Sequence, residues 1–314
     1  MLSSQRINHK GFELGLKTIF TSIAGAIILL FFIKFAYDQQ TLQENITTRT
    51  TLNDLNDYLD ALSIGSSTSR SINLPEEISL DADCESLHLN DYQKKDHKII
   101  YTKPMTTKNI NTWVQPWNYP YKITSFYYLD NNERYVLIYS QETKDYVTNL
   151  NIPNIIDIQQ QPINQFLPQR IQQEQQGKPV TLVFFTTTIP PGVAQIKNAA
   201  IIKIDLEQEE VVINNLRQPY LGEAMMLGAI FGKDTYACNQ ATALEELRRI
   251  TTIYEQKTRL LQLKTTDTCR NLLNLAQQTL SNYKTATILA LPALQEKIEE
   301  QNRELTNYDC PTIY

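Results

Sequence analysis

The segment INQFLPQRIQQEQQGKPVTLVFF, residues 163–185, joins a Gln-rich polar stretch to a wholly apolar one. Its first part predicts a helix that Gly177 closes, and its last part belongs to a predicted buried strand, Val180–Thr186. An earlier apolar run, Tyr135–Tyr139, predicts another strand. Strand, helix and apolar strand in this order are typical of a βαβ unit. The segment therefore predicts a mixed β-sheet with some helical cover.

Shorter strand candidates lie on both sides of this unit: Ile78–Cys84, Lys98–Tyr101, Ile123–Leu129, Ala200–Ile204 and Val211–Ile213. The first of them alternates polar and apolar residues, as a half-buried strand does. We therefore interpret residues 74–220 as a mixed α/β sheet domain.

The last third of the chain, residues 221–314, is predicted to be helical. After the apolar segment GEAMMLGAIF, residues 222–231, helices are expected over Tyr236–Lys264 and Arg270–Leu289. Pro292 suits the first turn of a third helix, which ends near Asn307. Short connections predict an antiparallel arrangement that packs on the sheet. The expected fold class is thus α+β, with an N-terminal transmembrane helix and stalk before the sheet domain.

Four cysteines, Cys84, Cys238, Cys269 and Cys310, contain no C-x-x-C pair. They form two disulfides, or they remain buried thiols. A helix between Cys238 and Cys269 would separate the two by roughly 35–40 Å, beyond the reach of a disulfide. The third helix returns Cys310 to the end near Cys269. The layout predicts Cys269–Cys310 and Cys84–Cys238.

An uncharged run, TIFTSIAGAIILLFFI, occupies residues 18–33. It reaches the roughly 20 residues of a membrane span if Lys34 extends to the headgroups and the span continues to Tyr37. Basic residues precede it and acidic residues follow it, which predicts a cytoplasmic N-terminus and an extracellular C-terminal part at the cell membrane. Residues 12–37 are therefore expected to bind the lipid bilayer as a single-pass anchor. Residues 38–73 are expected to form an amphipathic stalk helix and a Ser-rich loop.

Residues 1–11 precede this run and end in Lys10-Gly11, followed by Phe12. This junction resembles the processing site of type IV prepilins and archaeal class III signal sequences, which implies removal of a cytoplasmic leader. Pilins usually carry glutamate at the fifth mature position, where this chain has Leu16, so the resemblance supports processing more than filament assembly. Asn45-Ile46-Thr47 is a sequon for glycosylation at Asn45, or a chance match.

The sequence lacks the catalytic and nucleotide-binding motifs H-E-x-x-H, G-x-S-x-G and G-x-G-x-x-G. Gly228 to Lys233 resembles a phosphate loop but has the wrong spacing, and its glycines are expected to permit close packing or a turn. Alternation would place Asp81, Asp83 and Glu85 on one strand face, as metal ligands or as a solvated surface. A net charge of −5 argues against a nucleic-acid partner. No cofactor is expected.

The segment TWVQPWNYPYK, residues 112–122, concentrates Trp113, Trp117, Tyr119 and Tyr121. Their rings could present a surface for a sugar or peptide ligand, or they could pack against the sheet. Both interpretations remain open from the sequence.

Several segments together resemble membrane-anchored cell-surface proteins of small-genome archaea. They are KGFELGLKTIFTSIAGAIILLFFIKFA (10–36), IIYTKPM (99–105), PWNYPYKITSFYYL (116–129), GEAMMLGAIFGKDTYACN (222–239) and QNRELTNYDCPTIY (301–314). The resemblance implies a surface location and a common architecture. It brings no activity and no catalytic residues.

The predicted function is that of a membrane-tethered extracellular structural or interaction protein, with pilin-like partners in a surface assembly. No catalysis is assigned, because the sequence lacks a catalytic constellation. The alternative is an extracytoplasmic ligand receptor or enzyme with an aromatic or acidic cleft in the sheet domain.

Overall fold

The computed structural model describes residues 9–64, 68–95, 97–175, 178–186 and 188–314. The chain divides into two compact units, Met1–Asp54 and Leu55–Tyr314. Helix α1, His9–Ile64, begins in the first unit and ends in the second. In the second unit, Leu55 and Leu59 of α1 are buried, as the predicted amphipathic pattern requires.

In the first unit, α1 carries large apolar side chains that face solvent. Ile27–Ile33, Phe35 and Tyr37 are between 53% and 72% exposed. Within the described part of the chain, no helix has both the length and the hydropathy of a membrane span. Lys10, Gly11, Phe12 and Asn45 belong to α1, and their surroundings lie outside what the structure describes.

The second unit contains a six-stranded sheet, which we call sheet A, with strand order β3-β2-β1-β5-β6-β4. Its strands are β1 (Ser69–Ala82), β2 (Ser86–Leu89), β3 (Tyr92–Lys95), β4 (Ile99–Tyr101), β5 (Met105–Asn118) and β6 (Lys122–Asp130). Neighbouring strands are antiparallel, except that β4 runs parallel to β6. Strand β1 begins at Ser69, so the end of the segment expected to be stalk helix and Ser-rich loop, residues 38–73, is strand.

A second six-stranded sheet, sheet B, has strand order β12-β11-β10-β9-β7-β8. Its strands are β7 (Arg134–Tyr139), β8 (Asp157–Pro162), β9 (Val180–Phe185), β10 (Ala199–Asp205), β11 (Glu210–Ile213) and β12 (Leu216–Pro219). Strands β8, β7, β9 and β10 are parallel, and the remaining pairs are antiparallel. Short helices α2 (Lys144–Thr148) and α3 (Pro168–Glu174) lie in the crossovers. Strands β7 and β9 are parallel neighbours with α3 between them in the chain, as predicted. Strand β8 was not expected, Gly177 lies outside the described residues, and the expectation of one sheet is wrong.

Four helices follow sheet B: α4 (Gly222–Phe231), α5 (Tyr236–Gln262), α6 (Asp267–Thr285) and α7 (Leu291–Asn307). Lys284 pairs with Glu255 at 2.7 Å, and Gln262 donates to Gln277 at 2.9 Å. Because Glu255 lies opposite Lys284 and Gln262 lies opposite Gln277, α5 and α6 run antiparallel, as predicted. Pro292 lies in the first turn of α7, where its missing N–H leaves no helical bond unmade.

Helix α4 contacts strands of both sheets and is almost entirely buried. The Tyr128 hydroxyl donates to the Ala224 carbonyl at 2.7 Å, which ties α4 to β6. A Cβ atom added at Gly228 would lie 2.4 Å from Cζ of Tyr101. This glycine therefore permits close packing of a ring on the helix, which is the role expected from the sequence.

The two disulfides join the predicted pairs. The Cα atoms are 5.8 Å apart in Cys84–Cys238 and 5.5 Å apart in Cys269–Cys310. The first links the turn between β1 and β2 to the first turn of α5, and the second links the start of α6 to the residues after α7. The helix lengths thus determined which pairing was possible.

Candidate functional site

The aromatic segment packs inside the protein and offers no ligand surface. Trp113, Trp117, Tyr119 and Tyr121 are 2%, 1%, 6% and 3% exposed. Trp113 stacks on Tyr128 with ring centroids 4.6 Å apart, and Nε1 of Trp117 donates to the Leu221 carbonyl at 2.9 Å. The ligand-surface interpretation is therefore wrong and the packing interpretation is correct, because β5 lies between sheet neighbours and the helical layer.

The acidic residues proposed for one strand face hold a turn instead. Strand β1 ends at Ala82, so the alternation does not continue to Asp83 and Glu85. Oδ1 of Asp83 accepts the N–H groups of Glu85 and Ser86 at 2.8 and 2.7 Å, while Oδ1 of Asp81 accepts the N–H of Ala82. The described residues contain no cluster of three side chains suited to a metal ion.

Ser86, His88 and Asp83 lie together next to this turn, and their residue types are those of a hydrolytic triad. Nε2 of His88 lies 2.9 Å from Oδ2 of Asp83 and 3.4 Å from Oγ of Ser86. A triad needs the acid and the nucleophile on opposite ring nitrogens, whereas both contacts here involve Nε2. The Ser86 hydroxyl donates to Asp83 at 2.8 Å and is buried. The imidazole and the N–H donors hold the pKa of Asp83 far below its usual value, which favours a structural carboxylate.

A buried charged cluster, which we call the Lys103 cluster, connects the two sheets. Its members are Lys103 after β4, Asp130 at the end of β6, Glu133 in the turn before β7, Tyr135 in β7 and Thr181 in β9. Nζ of Lys103 lies 2.9 Å from Oε1 of Glu133 and donates to Oγ1 of Thr181 at 2.7 Å. Thr181 donates to Glu133 at 2.6 Å, and the Tyr135 hydroxyl donates to Asp130 at 2.8 Å.

Burial perturbs the protonation equilibria of this cluster. It raises the pKa of Asp130 to about 6, against the opposing effects of the Tyr135 hydroxyl and the Lys103 charge. It also lowers the pKa of Lys103, which the Glu133 carboxylate opposes. Nζ of Lys103 lies 4.7 Å from the centroid of the Tyr135 ring, whose face provides a further favourable contact for the ammonium. The cluster therefore holds charged groups that are stabilised by one another and not by water.

Glu133 also lines an open cleft of about 550 Å³ at the amino ends of β7, β8 and β9. Val136, Ile171 and Val180 form its apolar part. The rim carries Arg134 and Asp157, which pair with each other at 3.0 Å, each nearly half exposed. A volume of this size lies within the range of small-molecule sites.

The opposite edge of sheet B holds a smaller crevice of about 260 Å³ at the carboxyl ends of β7 and β9. Ligands of open parallel sheets commonly bind at such an edge, where consecutive connections depart in opposite directions. Here the Thr143 hydroxyl donates to the Phe185 carbonyl at 2.8 Å and accepts from the Ser140 N–H at 3.0 Å. These hydroxyls stabilise the turn into α2, so the cleft beside Glu133 is the better candidate site.

Comparison of the chain with protein-family models, curated proteins and solved structures finds no match. The functional argument therefore depends on the residues and their geometry alone.

Asp130 is expected to make stability depend on pH between its ordinary pKa of 3.8 and its folded pKa of about 6. Because folding raises this pKa, the folded state binds the proton more tightly. The stabilisation that protonated Asp130 contributes is complete below its unfolded-state pKa. It is lost as the pH rises through its folded-state pKa of about 6. From pH 4 to pH 7, the unfolding free energy of the native protein should fall by on the order of 2 kcal/mol relative to that of Asp130→Asn.

Urea unfolding at pH 4, 5, 6 and 7 measures this difference. Asp157→Asn is the matched control for the loss of a carboxylate, since the Asp157 side chain is 47% exposed. Parallel profiles for Asp130→Asn and the native protein would show that Asp130 does not titrate in this range.

Proposed function

We propose that the protein is a membrane-tethered extracellular structural or interaction module, with residues 12–37 in the lipid bilayer. The observation that carries this proposal is the run of exposed apolar side chains on α1. Ile27–Ile33 are each more than half exposed, although burial of such a side chain is worth about 1.5–3 kcal/mol. A bilayer would remove these side chains from water.

Two further observations support an extracellular location for residues 55–314. The Cα atoms of both cysteine pairs lie at disulfide distance, 5.8 and 5.5 Å apart, and disulfides persist in oxidising compartments. The charge bias around residues 18–37 favours a cytoplasmic N-terminus. With this orientation, Asn45 would be accessible to glycosylation.

The leader junction at Lys10, Gly11 and Phe12 supports a finer version of this proposal, in which residues 1–11 are removed and the protein joins a pilin-like surface assembly. Intact-mass measurement of the membrane-bound protein tests it. A mature N-terminus at Phe12 supports processing, and retention of Met1 or Leu2 contradicts it.

The membrane proposal predicts the behaviour of a charge variant. Leu29→Lys combined with Leu30→Lys should move most of the protein from the carbonate-resistant membrane fraction to the soluble fraction, because each lysine near a span centre costs about 2.5–3.5 kcal/mol. Leu260→Lys combined with Leu263→Lys is the matched control, since these leucines are also exposed but lie at the end of α5. A native protein that is fully soluble after expression contradicts the anchor.

Ligand reception is the second candidate function, and the cleft beside Glu133 favours it. Binding of small polar molecules to the detergent-solubilised chain would raise its melting temperature. Gln159→Trp, which narrows the cleft, should abolish that rise if the cleft is the site. A rise that this variant leaves unchanged places the ligand elsewhere.

A further inference from the structure

The two disulfides differ sharply in their access to solvent. Cys269 and Cys310 are only 7% and 6% exposed and belong to the main hydrophobic core. Cys238 is an exposed residue on α5, and Cys84 is half-buried in the turn between β1 and β2. Thiol–disulfide exchange requires a thiolate to approach one sulfur along the S–S axis, so access limits the reaction.

We propose that Cys84–Cys238 is a thiol–disulfide exchange site for an external dithiol, whereas Cys269–Cys310 is a permanent structural link. In the first step, a thiolate of the dithiol attacks Sγ of Cys238. The Cys84–Cys238 bond breaks, and Cys84 leaves as a thiolate that takes up a proton. The second thiol of the reagent then attacks the mixed disulfide and releases Cys238. The reagent is oxidised to its own disulfide, and the protein gains two electrons and two protons.

The position of Cys84–Cys238 determines what its opening would release. The bond spans 154 residues and ties the β1–β2 turn to α5. Strand β2 pairs with β1 at three positions, Leu80–Ala82, and the Asn90 N–H donates to the Ser79 carbonyl at 2.8 Å. Strand β3 lies at the edge of sheet A beside β2. Helix α5 keeps a second attachment, because Nδ2 of Asn239 donates to the Ile100 carbonyl at 2.7 Å. Reduction should therefore loosen β2 and β3, residues 86–95, while the core persists.

Differential alkylation tests the chemistry. The full chain in detergent is incubated with dithiothreitol under native conditions, quenched with N-ethylmaleimide at intervals and mapped by mass spectrometry. We expect Cys84 and Cys238 to be labelled at least tenfold faster than Cys269 and Cys310. Equal rates, or faster labelling of Cys269 and Cys310, overturn the proposal. The same reaction in denaturant should erase the difference, because unfolding exposes both bonds.

Two variants separate this proposal from a general loss of structure. Cys269→Ser with Cys310→Ser should keep the fast labelling phase, and Cys84→Ser with Cys238→Ser should remove it. Hydrogen exchange then measures the consequence. After selective reduction, amides of residues 86–95 should exchange faster while those of α6 stay protected. Unchanged exchange in residues 86–95 contradicts the proposed release.

Discussion

Gly228→Ala is expected to lower the free energy of unfolding by about 3 kcal/mol, at the upper end of the cost of overpacking a core. The added Cβ atom would lie 2.4–2.7 Å from three atoms of the Tyr101 ring. That ring is fully buried, with the ring centroids of Phe126 and Tyr128 5.4 and 5.7 Å away, so moving it would disturb both neighbouring rings. In an open helix the same change would be stabilising, because alanine is the better helix former.

Chemical denaturation of the detergent-solubilised chain measures this effect. Gly25→Ala is the matched control, since a Cβ atom at Gly25 in α1 meets nothing within 4 Å. Its unfolding free energy should stay within about 1 kcal/mol of the native value. Combining Gly228→Ala with Tyr101→Leu should cost less than the sum of the two single changes. Additive costs would show that the ring does not contact the helix as described.

Lys103→Met is expected to lower the free energy of unfolding by about 3–5 kcal/mol, the usual cost of removing one partner from a buried ion pair. Lys103 and Glu133 are 14% and 11% exposed, and Asp130 is 4% exposed. Without the ammonium, both carboxylates would remain buried with only neutral donors. Burial raises the pKa of Asp130 to about 6, so protonation of Asp130 should make the loss smaller below pH 5.

Arg134→Met provides the control for charge removal outside the core. Arg134 and its partner Asp157 are 45% and 47% exposed. The change should therefore lower the free energy of unfolding by no more than about 1 kcal/mol. Lys103→Met with Glu133→Gln should recover part of the stability, because the amide oxygen can still accept from Thr181. Equal costs for Lys103→Met and Arg134→Met at pH 7 would contradict the energetic distinction between the two pairs.

The helices could be predicted from the sequence because short stretches of residues mark where a helix begins and ends. The cysteine pairing then followed from the helix lengths. The apolar spacing in Tyr236–Gln262 and the position of Pro292 mark α5 and α7 without reference to the rest of the chain. Helix length alone then excludes a bond between Cys238 and Cys269. Such arguments need only the rise per residue and the geometry of a disulfide.

Strand β5 was missed because it is buried on both faces. Ile110–Gln115 are all buried, so the alternation that marks a half-exposed strand is absent. Pro116 and the following Tyr119-Pro120 sequence also favour a turn when considered locally. The aromatic residues were correctly recognised as distinctive, but the sequence could not decide between a surface and a core.

No sequence pattern indicated the Lys103 cluster. Its members come from the connection after β4, the turn after β6, and strands β7 and β9, and Lys103 and Thr181 are 78 residues apart. Only the relative position of the two sheets brings them together. Lys103 lies in the segment IIYTKPM (99–105), and a resemblance of that segment to other proteins carries no information about charge pairing.

The order of synthesis delays the burial of Trp117, because its hydrogen-bond partner lies later in the chain. Its indole donates to the Leu221 carbonyl 104 residues later, and the Ile100 carbonyl accepts from Asn239 139 residues later. At a translation rate of about 5–20 residues per second, at least about 5 s pass between the synthesis of Trp117 and the synthesis of Leu221 at the start of α4. During that interval the nascent chain presents Trp113, Trp117 and Tyr128 to its surroundings. Folding of this unit can therefore be completed only after α4 and the start of α5 have been synthesised.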